Sequence, residues 1–583
     1  MTQALSQAQS HLQANRPEQA LALLQRAAQK APADPDIASL LSLVLLRLNR
    51  FEQAEHYARR AAAGDRSPLN LTNLALILGA ANKNDDALAM TDEALALNPA
   101  HTDARLVRCN ILMIQQRVAD MIATCEEGLR HGWNSQLSVS YASALLSIGE
   151  PRRAADFLAD ATARFPDEAS LASLLAMART ADPLATPAEV SHAHKSYGHL
   201  VNRIKPPFTA TYHPKKDPEK KLRIALASPD LRRHSVAFFI EPLLEHIDTS
   251  RYEIVCYPTD RTFDEVSARF KAKAALWREA HSKIELQLAQ MLSDDRIDIA
   301  VDLAGHSNGN SLLAFALRMA PVQATYCGYP DTTGLTQMDW RIVDSHTDPD
   351  TPDVNAHATE RLYRLDPCFL CYRPPESAPA PTSDIRHPTS HITFGSFNAS
   401  RKHNQHVADL WSRILLAVPG SRLALKSQDL SDPYLRSLLL QRFAKSNTQD
   451  RIDFLDAPAS LADHLALYSK IDIALDPMPY QGTTTTCEAL WMGVPVLTHA
   501  GRTHAARVGV SLLTNVGASE LIATSDDDFV ARAVALANAP DRLAQYRATL
   551  RTKMAASPLL DRPAFCRRME GSFRSMWREY CNH

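Results

Sequence analysis

The chain has 583 residues, too many for one hydrophobic core, and at roughly 150 residues per domain about four folding units are expected. Hydrophobic residues make up 45% and charged residues 22%, a balance that excludes a globally disordered chain. Lys+Arg 63 against Asp+Glu 65 leaves a net charge of -2, so a chain devoted to coating nucleic acid is excluded and no nucleic-acid partner is expected.

The first residues, Met1 to Gln7, lack the basic start and apolar core of a secretory leader. No apolar run reaches the ~20 residues of a membrane span, and no membrane partner is expected. Small residues then recur at a fixed period. Ala20, Ala54, Ala87, Met121 and Ala154 lie 34, 33, 34 and 33 apart. Ala27, Ala61, Ala94, Gly128 and Ala161 follow seven residues on, and Ala8, Ser42, Ala75, Cys109 and Ala142 precede by twelve. Pro32, Pro99 and Pro166 close the units at one register, with Arg66 and Trp133 in the other two slots. This register resembles the tetratricopeptide repeat, whose small positions let paired helices approach and whose prolines stop the second helix. It predicts a repeat array over 1–182. Such an array serves as a rigid spacer or as a concave groove for a peptide. Asn73 is the only asparagine at an inner-helix position, so both readings stand.

Residues 183–220 are expected to be a linker, with one amphipathic helix over Pro187–Ile204, then Lys205-Pro206-Pro207 and a charged hinge from Lys215 to Lys221. Beyond it short apolar runs alternate with helical stretches. Strands are expected at 222–227, 252–257, 297–302 and 324–327 in a lobe spanning 221–373. A Pro-rich link covers 374–390. A second lobe over 391–583 has strands at 392–396, 422–425, 452–455, 471–475 and 494–497, and includes the terminal helix. Strand–helix alternation implies parallel sheets, with a ligand cleft at the carboxyl ends of the strands. Dinucleotide and P-loop fingerprints are absent. Asp348-Pro349-Asp350 reads as a turn, not a metal-binding pair. Nine scattered cysteines with a single CxxC, Cys368 to Cys371, read as free thiols of a reduced, cytoplasmic protein.

The chemistry concentrates between Leu475 and Gly493, where a strand enters a Pro/Gly loop and a helix opens through Thr483-Thr484-Thr485-Thr486. A helix start carries unpaired N–H groups and partial positive charge, which suits a diphosphate. Glu488 falls one turn after Thr484, where a carboxylate can grip ribose hydroxyls. A plain threonine cap is the competing account.

Four separated markers then carry a resemblance: Ser228 to His234, Gly328 to Gly334, Phe397 to Lys402, and the threonine segment with Glu488 to Gly493. In this order they resemble the O-linked N-acetylglucosamine transferase family, in a form whose Gly305-His306 and Thr332-Thr333-Gly334 look bacterial. The resemblance implies an all-α tetratricopeptide-like superhelix followed by an α/β GT-B fold of two Rossmann-like lobes. It implies UDP-GlcNAc as donor, a peptide or protein acceptor along the repeat groove, inversion at the sugar, no metal and no cofactor. Lys402 would offset charge on the diphosphate, Thr483, Thr484 and Thr485 would hold the phosphates, and Glu488 the ribose. His464 would pack by the base. His234 would sit near sugar and acceptor as a candidate base, and Gly328, Tyr329 and Pro330 would line the sugar pocket. Within the same fold, GDP-fucose as donor or glucose transfer to asparagine remains open, as does a non-catalytic scaffold.

Overall fold

The computed structural model describes residues 2–14, 16–204, 212–281, 283–381 and 391–583. The linker tripeptide Lys205-Pro206-Pro207 and most of the Pro-rich link lie outside them. Twelve helices come first: α1 (Thr2–Gln13), α2 (Pro17–Lys30), α3 (Pro35–Arg47), α4 (Phe51–Gly64), α5 (Pro68–Ala80), α6 (Asn84–Leu97), α7 (Thr102–Ile114), α8 (Val118–His131), α9 (Ser135–Ser147), α10 (Pro151–Arg164), α11 (Ala169–Ala181) and α12 (Pro187–Ile204). Proline opens α2, α3, α5, α10 and α12, where its missing N–H costs no hydrogen bond. The small register positions are buried apart from Ala27. At Gly128 the reason is direct: a Cβ there would lie 2.5 Å from Leu137 Cδ2 and 2.6 Å from Arg105 Cδ. Helices α4 and α8 stop at the same register as α2 and α6 although Arg66 and Trp133 replace the proline. Packing sets that length as much as proline does.

The chain divides into two compact units, Met1–Ile148 and Gly149–His583. This moves the boundary expected at 182/183. Ala172 of α11 and Tyr197 and Val201 of α12 share one apolar core with Ala225, Val255 and Leu292 of the first lobe. Likewise α12 is no linker: Gly198 approaches Gly334 so closely that a Cβ would sit 1.8 Å from the Gly334 carbonyl oxygen. A repeat period records how helices pair with each other. It does not record which neighbour covers their remaining faces.

The second unit holds two parallel sheets. The amino-terminal lobe contains β1 (Leu222–Ser228), β2 (Tyr252–Pro258), β3 (Leu276–Trp277), β4 (Ile299–Asp302), β5 (Val322–Tyr326), β6 (Trp340–Val343) and β7 (Arg361–Arg364), ordered β3-β2-β1-β4-β5-β6-β7. The carboxyl-terminal lobe contains β8 (Thr393–Ser396), β9 (Arg422–Leu425), β10 (Ile452–Phe454), β11 (Ile473–Leu475), β12 (Val496–His499) and β13 (Ile522–Ala523), ordered β10-β9-β8-β11-β12-β13. Strands β3 and β13 are too short to show a pattern, and arginines interrupt β6 and β7, so the sequence hides all four. Each sheet reverses winding once, between β1 and β4 (Ile224 opposite Ile299) and between β8 and β11 (Ile473 opposite Phe394). These switch points open a crevice at the carboxyl ends of the strands. The terminal helix, Arg562–Asn582, belongs spatially to the other lobe than the one expected. Tyr252 of β2 donates its hydroxyl to the Glu570 carbonyl, and Trp577 Nε1 donates to the Asp217 carbonyl.

Candidate functional site

The switch point of the carboxyl-terminal lobe brings two loops together. Strand β8 runs into Phe397–Lys402 and β11 into Asp476–Thr483, so Lys402 and the threonine segment, far apart along the chain, become neighbours. Lys402 Nζ donates to the Gln481 carbonyl at 2.8 Å and to Asn398 Oδ1 at 3.3 Å, and lies 4.9 Å from the Tyr480 ring centre. Gln481 is itself fixed: its side chain accepts from Gly509 N–H at 2.8 Å and donates to the His499 carbonyl at 2.5 Å. Burial, with Arg401 adding repulsion, brings the Lys402 pKa down to about 7 against the pull of Asp476. Asp476 is buried under Gly482 N–H (2.7 Å) and the Thr498 hydroxyl (2.8 Å), and burial raises it to about 6. Among the described residues Lys402 forms no ion pair. A desolvated cation facing neutral partners is a receptor for an anion.

The helix Thr484–Trp491 starts beside it. Thr483 stands at the N-cap without a side-chain capping bond, which departs from the plain threonine-cap account. Thr484 Oγ1 is buried without a hydrogen-bond partner, an orphan that a ligand oxygen would satisfy. Thr485 Oγ1 donates to Asn398 Oδ1 at 3.0 Å, whereas Thr486 turns inward to the Gly482 carbonyl at 3.1 Å. Gly482 has no room for a side chain, since a Cβ would lie 2.5 Å from Thr485 Oγ1. Among the described residues the N–H groups of Thr484, Thr485 and Thr486 at the helix start have no hydrogen-bond acceptor. Glu488 follows one turn on, buried, with Oε2 taking hydrogen bonds from His464 Nε2 at 2.9 Å and the Tyr468 hydroxyl at 3.2 Å. Asn398, Asp476, Tyr480 and Gln481 escaped sequence reasoning. Their only signal is adjacency to the two strand ends.

On the amino-terminal lobe His234 follows β1 at its switch point, with 40% of its side chain exposed and Nδ1 3.5 Å from Asp230 Oδ2. Burial and the charges of Arg232 and Arg401 lower its pKa against the pull of Asp230. The charge of Arg401 acts on both His234 and Lys402. Gly328 approaches the chain after β4 so closely that a Cβ would sit 1.7 Å from the Leu303 carbonyl oxygen. Tyr329 corrects an expectation. Its hydroxyl is held by His194 Nε2 at 2.9 Å and Thr180 Oγ1 at 3.1 Å, so the side chain is a pillar under α11 and α12, not a wall of the sugar pocket. Asp348 is no metal ligand either, being turned in to His504 Nδ1 at 2.5 Å and Arg341 Nη1 at 3.5 Å, whose charges hold its carboxyl well below the usual range.

Among the described residues no group of three or more His, Cys, Asp or Glu side chains is placed to hold a metal ion, and no helix is long and apolar enough to cross a membrane. All nine cysteines are free.

Two doubly wound lobes, each with a crevice at its switch point, define a GT-B-like fold. The model for glycosyl transferase family 41 matches residues 186–371 and 380–569, and two tetratricopeptide-repeat models match 11–69 and 72–135. The chain belongs to glycosyltransferase family 41. A probable UDP-N-acetylglucosamine–peptide N-acetylglucosaminyltransferase of Arabidopsis thaliana, SPINDLY, is 42% identical over 67% of this chain and 43% of its own length. A second Arabidopsis protein of the same description, SEC, is 28% identical over 65% of this chain and 39% of its own. The chain thus spans less than half the length of these relatives. A solved structure of a Thermobaculum terrenum O-GlcNAc transferase, a mutant carrying methionine in place of one lysine, superposes with a TM-score of 0.73 at 28% identity, covering 100% of this chain and 98% of that one.

Proposed function

We propose that this protein transfers N-acetylglucosamine from UDP-GlcNAc to Ser or Thr hydroxyls of proteins, with inversion and without a metal. The observation that carries the reading is the unsatisfied cradle: the Thr484 hydroxyl without a partner, open helix N–H groups, and Lys402 desolvated beside them. In this reading the acceptor oxygen attacks the anomeric carbon opposite the diphosphate. The carbon–phosphate oxygen bond breaks, its electron pair passes to the diphosphate, and Lys402 and the helix start stabilise that charge. His234, whose lowered pKa favours the free base, takes the hydroxyl proton or orients the acceptor. The cradle recognises phosphates and leaves the sugar and base to other contacts. Calorimetry and a transfer assay with UDP-GlcNAc and GDP-fucose, each with and without EDTA, test donor and metal together. Tight UDP binding and GlcNAc transfer in EDTA support the proposal. Transfer from GDP-fucose alone replaces the donor, and activity restored only by Mg²⁺ overturns the metal-free mechanism.

A further inference from the structure

Glu488 does not stand alone at the far end of the cradle. His464 Nδ1 lies 2.9 Å from Lys426 Nζ at the end of β9, and His464 Nε2 lies 2.9 Å from Glu488 Oε2. Donor chemistry fixes the protons along this line. A lysine ammonium has three donors and no acceptor, so His464 Nδ1 must accept. The ring proton then sits on Nε2 and donates to the carboxylate. Tyr468 adds a second donor, its hydroxyl lying 3.2 Å from Glu488 Oε2 and 3.2 Å from the Thr485 carbonyl oxygen. Phe397 packs on the Tyr468 ring at 4.5 Å and on His464 at 6.1 Å, which holds both rings in place. One carboxylate oxygen is thereby doubly engaged. The other, Oε1, has no hydrogen-bond partner among the described residues.

We infer that Lys426, His464 and Tyr468 are positioning residues that lock Glu488 with one oxygen committed to the protein and the other presented to a ribose hydroxyl of a bound nucleotide. The inference rests on the nucleotide-sugar reading above and gives His464 a different part from packing against the base. Lys426, which no sequence motif singles out, is the residue that sets the histidine tautomer. A purely structural bridge between β9 and the helix would use the same atoms. The two accounts differ in what a ribose hydroxyl contributes to affinity.

The full chain and its Lys426→Met, Lys426→Arg, Tyr468→Phe and Glu488→Gln variants would be titrated calorimetrically with UDP, GDP and the 2′-deoxy and 3′-deoxy forms of each. The wild type should prefer the ribonucleotide over at least one deoxy form by roughly tenfold or more, the value of a hydrogen bond to a charged group. In Lys426→Met and Glu488→Gln that ratio should fall to within about threefold while deoxynucleotide affinity is nearly kept, which itself shows that the variants fold. Tyr468→Phe should shrink the ratio in part, and Lys426→Arg, which keeps a donor, should preserve it. A ratio unchanged in Lys426→Met, or equal losses for ribo- and deoxynucleotides, overturns the relay and leaves the nucleotide-sugar reading standing. Failure of the wild type to bind either UDP or GDP overturns both.

Discussion

The strand-end loops of the two lobes handle their polar groups in opposite ways. After β11 in the carboxyl-terminal lobe, the Thr484 hydroxyl has no partner, Thr483 caps nothing, and Lys402 is desolvated to a pKa of about 7. After β5 in the amino-terminal lobe, Tyr329 is held by Thr180 and His194, and Glu360 accepts from the Thr332 hydroxyl at 2.5 Å and from Thr333 N–H at 2.7 Å. His306 is likewise closed, its ring nitrogens lying 2.8 Å from Ser173 Oγ and 3.0 Å from the Thr333 carbonyl oxygen. Unsatisfied buried groups are costly, so an open hydroxyl beside a desolvated cation at a strand-end crevice points to a ligand that completes them. Both loops carry family markers. One leaves polar groups open and the other closes them within the fold.

The sharpest way to break that contrast is to remove the helices that close the amino-terminal loop. A chain beginning at Pro183 lacks Ser173, Thr180 and Ala172, and should fail to give a folded protein. A chain beginning at Gly149 keeps them, and should melt cooperatively and bind UDP. Equal melting curves for the two truncations would show that α10 and α11 are dispensable to the lobes.

The next largest effect falls on turnover. His234→Ala should lower transfer by roughly 10²–10⁴-fold, the usual worth of a positioned base, while UDP affinity stays within about twofold. Wild-type turnover would remove His234 from the chemistry, and a loss confined to UDP binding would move it to the nucleotide site.

Lys402→Ala should weaken UDP binding roughly ten- to a hundredfold, as expected for a charge-assisted phosphate contact. The pH dependence gives a second handle. With the free lysine titrating near 7, the ammonium that grips the diphosphate is lost as pH rises, so wild-type affinity should fall between about pH 7 and 9. The alanine variant should bind weakly with no such slope. A wild-type profile flat over that range would mean the lysine is not desolvated in solution.

Smallest at the site, and most specific to the contrast, is Tyr329→Phe. It leaves Thr180 and His194 without their shared partner and should cost about 1–3 kcal/mol of stability in chemical denaturation. UDP affinity and donor KM should not change. A raised donor KM without loss of stability would restore Tyr329 to the sugar pocket.

Much of this architecture is legible in residue order because its causes are local. Three small-residue registers running through five repeats report helix pairing, apolar runs between helical stretches report parallel strands, and Thr483 to Glu488 report a helix start with a carboxylate one turn along. The neighbours that β8 and β11 bring together, Asn398 on one side and Asp476, Tyr480 and Gln481 on the other, are far apart in sequence. Their association follows from strand order.

Residue order by itself therefore determined the two fold classes, their sequence along the chain, and the threonine run at a helix start. Each depends on periodicity or on a contiguous motif. Tertiary structure alone decided that α10–α12 join the lobes, that the terminal helix crosses to the first lobe, and that Tyr329 faces the helices. It also decided that Glu488 is held through His464 by Lys426. The physical reason is the same throughout. Which surface covers a helix face, or which partner completes a polar atom, depends on residues far apart in sequence, and burial makes those distant partners obligatory.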